Sequence, residues 1–204
     1  MEPDSDLAYL IGALRDGSIY YYKKNRSYYV LYYQKYKSWL EQSIGRRIKA
    51  LFNVNYRIDE YKKGHFRLRL SNKKLYHLFR NDYEFPVEGK TQINWTIPKK
   101  IWNASNEVKI SYVRGFFDTE GDVSPNSSNT KYIGISQKNI KVLKEIKSIL
   151  TELGIYTSKE HIIDRKSKTY RISIIGKKNI KKFYSIVGSE HPIKKKNIQL
   201  IIKE

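Results

Sequence analysis

The chain has 204 residues, no cysteine and 40% hydrophobic residues, and its 40 Lys and Arg against 20 Asp and Glu give a net charge of +20. This composition is that of a globular chain; no apolar run is long enough to span a bilayer, and the N-terminal MEPDSDLAYL lacks the basic n-region of a signal peptide. Without cysteine there are no disulfides and no thiolate zinc sites, and a positive charge of this size calls for a polyanionic partner.

Taken in chain order, AYLIGALRDGSI (Ala8 to Ile19) is an apolar, small-residue-rich helix that stops at Asp16-Gly17. SIYYYKKNRSYYVLYYQ follows, a hairpin of tyrosines and cations turning around Asn25. KSWLEQSIGRRIKALF places Trp39, Leu40, Ile44, Ile48 and Leu51 near helical spacing. A second hairpin turns at Lys62-Lys63-Gly64 and ends in HFRLRLS, where Phe66, Leu68 and Leu70 share one face and Arg67, Arg69 and Ser71 the other. A short helix closes this part. From Gly17 to Arg80 the only acids are Glu41, Asp59 and Glu60, so the charge is unevenly placed. A lysine-rich surface alone does not account for that. Nucleic acid is the expected partner.

After a connector containing Pro86 and Pro98, the pattern repeats. SYVRGFFDTEGDV (Ser111 to Val123) matches the first helix at an offset of 103 residues, Tyr9 on Tyr112 and Gly12 on Gly115. YIGISQK matches YVLYYQK and puts Gln137 on Gln34; YRISIIGKKNIKKFY matches FRLRLSNKKLYHLF with a one-residue drift. The second part again reads hairpin (loop at the Pro-Asn-Ser-Ser-Asn cluster), amphipathic helix NIKVLKEIKSILTELG with Gly154 as its C-cap, hairpin turning at Arg165-Lys166-Ser167-Lys168, and helix. In TYRISII, Tyr170, Ile172 and Ile174 face one way, Arg171 and Ser173 the other.

The fold class is therefore α+β: two pseudo-symmetric αββαββα halves, with antiparallel DNA-binding sheets and a central two-helix interface. The first half spans 1–84, a connecting segment 85–106, and the second half 107–204. Each sheet has an apolar back and a cationic front suited to a DNA major groove, where Arg reads guanine bidentately. The candidate contacts are Tyr22, Lys24, Arg26, Tyr32, Arg57, Arg67 and Arg69 in the first half, and Lys131, Arg165, Arg171 and Ser173 in the second.

The small-residue stripes (Ala8, Gly12; Ser111, Gly115, Thr119) let the two motif helices pack closely, bringing their C-terminal carboxylates, Asp16 and Glu120, side by side. Adjacent carboxylates at the negative ends of helix dipoles repel one another, and a divalent cation relieves the conflict. Metals held by carboxylates against a phosphate are a standard device for phosphodiester hydrolysis.

With these features in place, the chain resembles the LAGLIDADG homing endonucleases in their single-chain, two-motif form, most closely through YVRGFFDTEG and the lead-in IPKKIWNASNEVK. The resemblance implies a monomer that seats two sheets on the major groove of a long asymmetric duplex site and cuts both strands with Mg²⁺. Mn²⁺ is expected to substitute, and Ca²⁺ to bind without supporting cleavage. It also implies catalytic roles for Asp16 and Glu120, for Gln34 and Gln137 in ordering water, and for supporting lysines at Lys194 and at Lys99 (or Lys100). Asp16, Glu120, Gly17 and Gly121 are assigned to the metal. Two alternatives are an intron RNA maturase, with the host intron RNA as partner, and a non-cleaving DNA-binding protein; retention of both acids favours the nuclease. A prokaryotic cytoplasm or nucleoid is the expected location, with an organelle as the alternative.

Three further expectations concern local geometry. The four histidines, His65, His77, His161 and His191, show no metal-ligand spacing and are expected at the surface. Asp118 and Arg114 read as a surface pair, and Asp122 and Arg15 need no catalytic role. Finally, Gly115 precedes Glu120 by five residues but Gly12 precedes Asp16 by four. A regular α-helix would turn Asp16 ~100° away and leave it ~1.5 Å short. Four 3₁₀ steps advance ~8 Å and ~480°, against ~7.5 Å and ~500° for five α steps, so a 3₁₀ last turn is expected before Asp16.

Overall fold

The computed structural model describes residues 1–86, 95–125 and 130–203. Residues 87–94 of the expected connector and 126–129 of the expected second-half hairpin loop lie outside them. The chain divides into two compact units, Met1–Thr91 with Pro98–Thr119 and Gln92–Ile97 with Glu120–Glu204.

In the first unit, α1 (Ser5–Ala13) is N-capped by Asp4, whose carboxylate accepts the Leu7 N–H at 2.8 Å. Every residue from Leu7 to Ala13 is buried, so this helix lies inside the unit rather than on its surface. β1 (Gly17–Tyr22) and β2 (Ser27–Gln34) form the first hairpin, closed by Arg26 in the left-handed conformation (φ 52°). α2 (Lys37–Trp39), a π turn (Leu40–Gly45) and α3 (Arg46–Phe52) replace the single amphipathic helix expected there. β3 (Arg57–Lys62) and β4 (His65–Ser71) turn through Gly64, whose φ of 71° suits glycine. α4 (Lys73–His77) follows, N-capped by Asn72. The sheet order is β1-β2-β4-β3, antiparallel throughout. Ile19, Val30, Tyr32, Leu68 and Leu70 form its buried back. Each aliphatic side chain so buried contributes roughly 1.5–3 kcal/mol. α5 (Lys99–Trp102) and α6 (Asn106–Glu120) complete the helices, α6 belonging to this unit up to Thr119.

The second unit repeats the sheet of the first. Its sheet is β5-β6-β8-β7, built from Gly121–Ser124 (β5), Tyr132–Gln137 (β6), His161–Asp164 (β7) and Thr169–Ile175 (β8). α7 (Ile140–Glu152) lays Val142, Leu143, Ile146, Ile149 and Leu150 into the core, and Gly154 (φ 67°) ends it as expected. Trp95 and Ile97 dock on this unit: the Trp95 carbonyl accepts from Asn139 Nδ2 at 2.5 Å, and the Ile97 N–H donates to Glu145 at 2.7 Å. α8 (Lys177–Ile186) and α9 (Pro192–Lys203) close the unit, and α9 packs against β5.

Candidate functional site

The helix pair α1 and α6 makes backbone contact through its glycines. A Cβ on Gly12 would strike the Tyr112 carbonyl oxygen, and one on Gly115 the Tyr9 carbonyl oxygen. A chain of polar groups locks the pair. Trp39 Nε1–H donates to the Tyr9 hydroxyl at 3.1 Å, and that hydroxyl donates to Asp118 Oδ2 at 2.6 Å. The Arg47 guanidinium lies 4.0 Å from the Tyr9 ring centroid and bonds Asp6 at 2.7 Å. Asp118 is thus fully buried rather than at the surface, where it was expected. The Tyr9 hydroxyl, on a different helix, draws it inward. Arg15 is also buried, with its guanidinium 5.1 Å from the Phe85 ring centroid.

The two acids end their helices differently. α6 is α-helical through Glu120, whereas α1 stops at Ala13 and a 3₁₀ turn, Leu14–Asp16, carries the chain to its acid. The tightening expected from the shorter spacing is present. Asp16 is exposed and Glu120 half-buried. Each is followed by the glycine that opens its sheet. A Cβ on Gly17 would strike the Leu31 carbonyl oxygen.

Strand register places a glutamine near the start of each sheet. Gly17 pairs with Tyr32 and Gly121 with Ile135, so Gln34 and Gln137 stand two residues further on, where the acid enters the sheet. Both hold one conformation: the side-chain oxygen accepts the N–H of the following lysine, Lys35 or Lys138, at 2.8 Å in each case. The amide nitrogens remain as donors.

The lysines separate into two cases. Lys194 lies in the first turn of α9, the helix packed on β5. Lys99 lies with Glu2, Pro3, Asn103 and Val108 along a surface groove, and Lys100 pairs with Glu2 at 3.4 Å and Asp82 at 3.5 Å. This groove is at the N-terminal ends of α1 and α6. The length of α1, ~13 Å for nine residues, stands between Lys99 and Asp16, so the catalytic assignment of Lys99 does not hold. His191 departs from expectation too: it is 3% exposed, and burial, helped by the Lys194 charge, lowers its pKa to about 4.

Among the described residues, no group of three or more His, Asp or Glu could hold a metal ion. The carboxylates of Asp16 and Glu120 are hard oxygen donors. Each suits a cation like Mg²⁺, which keeps waters and takes substrate phosphates as its remaining ligands. The residues present fit the implied metal in that form.

The front of the first sheet is an aromatic and cationic surface. Tyr20 stacks on Tyr29 at 5.0 Å, and the Arg69 guanidinium lies 6.0 Å from the Tyr29 centroid. Arg67 bonds Asp59 at 2.5 Å, a contact that raises its pKa. Arg57 is exposed across from Arg69, and Tyr22, Lys24 and Arg26 are exposed around the hairpin tip. Tyr32 is not part of this surface: it is 1% exposed on the apolar back, its hydroxyl donates to the Leu10 carbonyl at 3.2 Å, and burial raises its pKa.

In the second unit Arg165 is exposed in the β7–β8 turn and Lys131 is half-buried beside β6. Ser173 is buried, because Ser158 covers its strand edge: the Ser173 N–H donates to Ser158 Oγ at 3.0 Å and its carbonyl accepts the Ser158 N–H at 2.8 Å. That burial removes Ser173 from the sheet's exposed front, where it was expected to meet DNA. Arg171 is half-buried and bonded to Asp122, a partner missed from sequence. Strand parity carried the signal, since Asp122 faces the side-chain-less Gly134 and can reach over it.

Residues 107–188 match the model of the LAGLIDADG-like domain. The chain is 32% identical over 197 residues to the homing endonuclease I-ApeI of Aeropyrum pernix, covering 96% of this chain and 86% of that protein. It is 29% identical over 190 residues to the homing endonuclease I-DmoI of Desulfurococcus mucosus, covering 89% and 87%. The fold matches the crystal structure of I-DmoI with DNA and Ca, with a TM-score of 0.72, 24% identity and 96% of each chain covered. It also matches I-DmoI with DNA and Mn, with a TM-score of 0.67, 26% identity, and 91% and 98% covered.

Proposed function

Given that the chain belongs to the LAGLIDADG family of homing endonucleases, we propose that it is a divalent-metal-dependent, site-specific DNA endonuclease that cuts both strands of a long asymmetric duplex. The observation that carries the reading is the arrangement found twice along the chain. A motif helix ends in a carboxylate, a glycine opens the sheet, and a glutamine stands two residues beyond that glycine's strand partner.

Asp16 and Glu120 hold the cation in this reading, with Gly17 and Gly121 beside them. Mg²⁺ is the working ion; the Ca and Mn complexes of I-DmoI support divalent metal use. When bound, the metal supplies charge neutralisation at the scissile phosphate and a water of lowered pKa. The chain's own residues do the rest. The sheet fronts and hairpin tips set DNA register through phosphate contacts from Lys24, Arg26 and Arg165, and base contacts from Arg57, Arg69 and Arg171. The Gln34 and Gln137 amides donate hydrogen bonds that orient water. Lys194 supplies positive charge in the second half. The protein acts as a monomer, since one chain carries both motifs.

The test is cleavage of a randomised duplex library, with Mg²⁺ and separately with Ca²⁺. Double-strand cuts at one long site with Mg²⁺, and binding without cutting in Ca²⁺, are expected. Tight binding without cutting under any divalent metal would leave a DNA-binding protein, and selective binding of intron RNA would leave a maturase.

A further inference from the structure

The two sheets carry their cations unequally. The strands of the first hold Arg57, Lys62, Arg67 and Arg69; those of the second hold Arg171 alone among Lys and Arg. That one arginine is fixed from three sides. Its Nε–H donates to Ser136 Oγ at 3.0 Å, Nη1 to the Tyr132 hydroxyl at 3.0 Å, and Nη2 to Asp122 Oδ1 at 2.8 Å. The guanidinium also lies 5.3 Å from the Tyr132 ring centroid. The backbone leaves room for this clamp: a Cβ on Gly134 would come 2.7 Å from Asp122 Oδ1 and 3.1 Å from Arg171 Nε, so only glycine fits beneath the pair undisturbed. Arg69, by contrast, meets no carboxylate among the described residues and rests only on Tyr29.

A guanidinium has five N–H groups, and the clamp uses three. One N–H on each of Nη1 and Nη2 is left, and a guanine O6 and N7 can accept from two such groups together. Fixing a long side chain before it binds reduces the conformational freedom lost on contact and narrows the geometry it accepts.

We infer that Arg171 is the guanine-reading side chain of the second sheet, and that Asp122 is its positioning residue. The inference rests on the DNA-endonuclease reading. It makes the second half-site depend on one G·C pair, while the first half-site is read by several cations.

The experiment is selection of bound duplexes from a randomised pool in Ca²⁺, sequenced for the wild type and for Arg171→Ala, Asp122→Ala, Asp122→Asn and Gly134→Ala, with thermal melting of each to verify folding. The wild type is expected to enrich a long site with one strongly required G in one half. Arg171→Ala removes the preference at that position alone, by about 10- to 100-fold. Asp122→Ala and Gly134→Ala weaken it at the same position without erasing it, and Asp122→Asn, which keeps an acceptor oxygen, restores part of it. An unchanged profile for Arg171→Ala, or a loss spread evenly over all positions as for a phosphate contact, overturns the inference while the nuclease reading stands. A wild type that enriches no site overturns the DNA reading, and this inference with it.

Discussion

The Tyr9 hydroxyl donates a 2.6 Å hydrogen bond to Asp118, joining the two motif helices through a carboxylate with no solvent exposure. The same hydroxyl accepts from Trp39 Nε1, so one oxygen ties α1 to α6 and to the helical run behind it. Tyr9→Phe takes one hydrogen bond from the buried Asp118 carboxylate and one from Trp39 Nε1, and about 1–3 kcal/mol of stability should be lost in urea unfolding. Gly115→Ala forces the two backbones apart and should cost a similar 1–3 kcal/mol. Changes within 0.3 kcal/mol in both would mean that the helix pair is not the structural centre of its unit.

The unequal spacing of the motifs leads to an insertion test. With one alanine added between Ala13 and Leu14, the acid follows Gly12 by five residues, as Glu120 follows Gly115. The 3₁₀ turn can then relax to α-helix and leave the carboxylate where it was. Mg²⁺-dependent cleavage within about 10-fold of wild type is expected, with circular dichroism showing no loss of helix. A misplaced catalytic group costs about 10²-fold; a loss of that size or more would show that the two turns are not interchangeable.

His191 predicts a pH dependence of stability. Burial and the Lys194 charge hold its folded-state pKa near 4, below the ordinary 6.5. Between those values the unfolded chain binds the proton and the folded chain does not. Stability is therefore greatest above pH 6.5 and falls as the pH drops toward 4, by up to about 1.4 kcal/mol per unit. His191→Gln should flatten that slope in urea titrations at pH 7 and pH 5. An equal slope in the variant would assign the acid sensitivity to other groups.

Much of this architecture is legible in the residues themselves. The repeat at 103 residues, the parity of HFRLRLS and TYRISII, and the missing residue before Asp16 are local patterns, and each appears in the fold as read. The misreadings share a physical origin. β2 is SYYVLYYQ, with tyrosines on both faces and Val30, Leu31 and Tyr32 all buried, so parity alone did not say which tyrosine meets solvent. Asp118 and Ser173 are covered by partners far away in the chain, Tyr9 and Ser158, which no local pattern announces. Lys99 sits at the opposite end of a helix whose length was known but whose position beside the groove was not. The Asp122–Arg171 clamp could have been read, since the strand positions of both residues and the glycine between them were in hand.

The most direct measurement compares Asp16→Asn and Glu120→Gln with the wild type on the selected duplex, scoring both binding and the cutting of each strand. Each variant should lose about 10³-fold or more in Mg²⁺-dependent cleavage. Metal-free binding should stay equal or tighten, because a negative charge facing phosphate has been removed. Double-strand cutting at the wild-type rate by either variant would contradict the assignment of these two carboxylates to the metal.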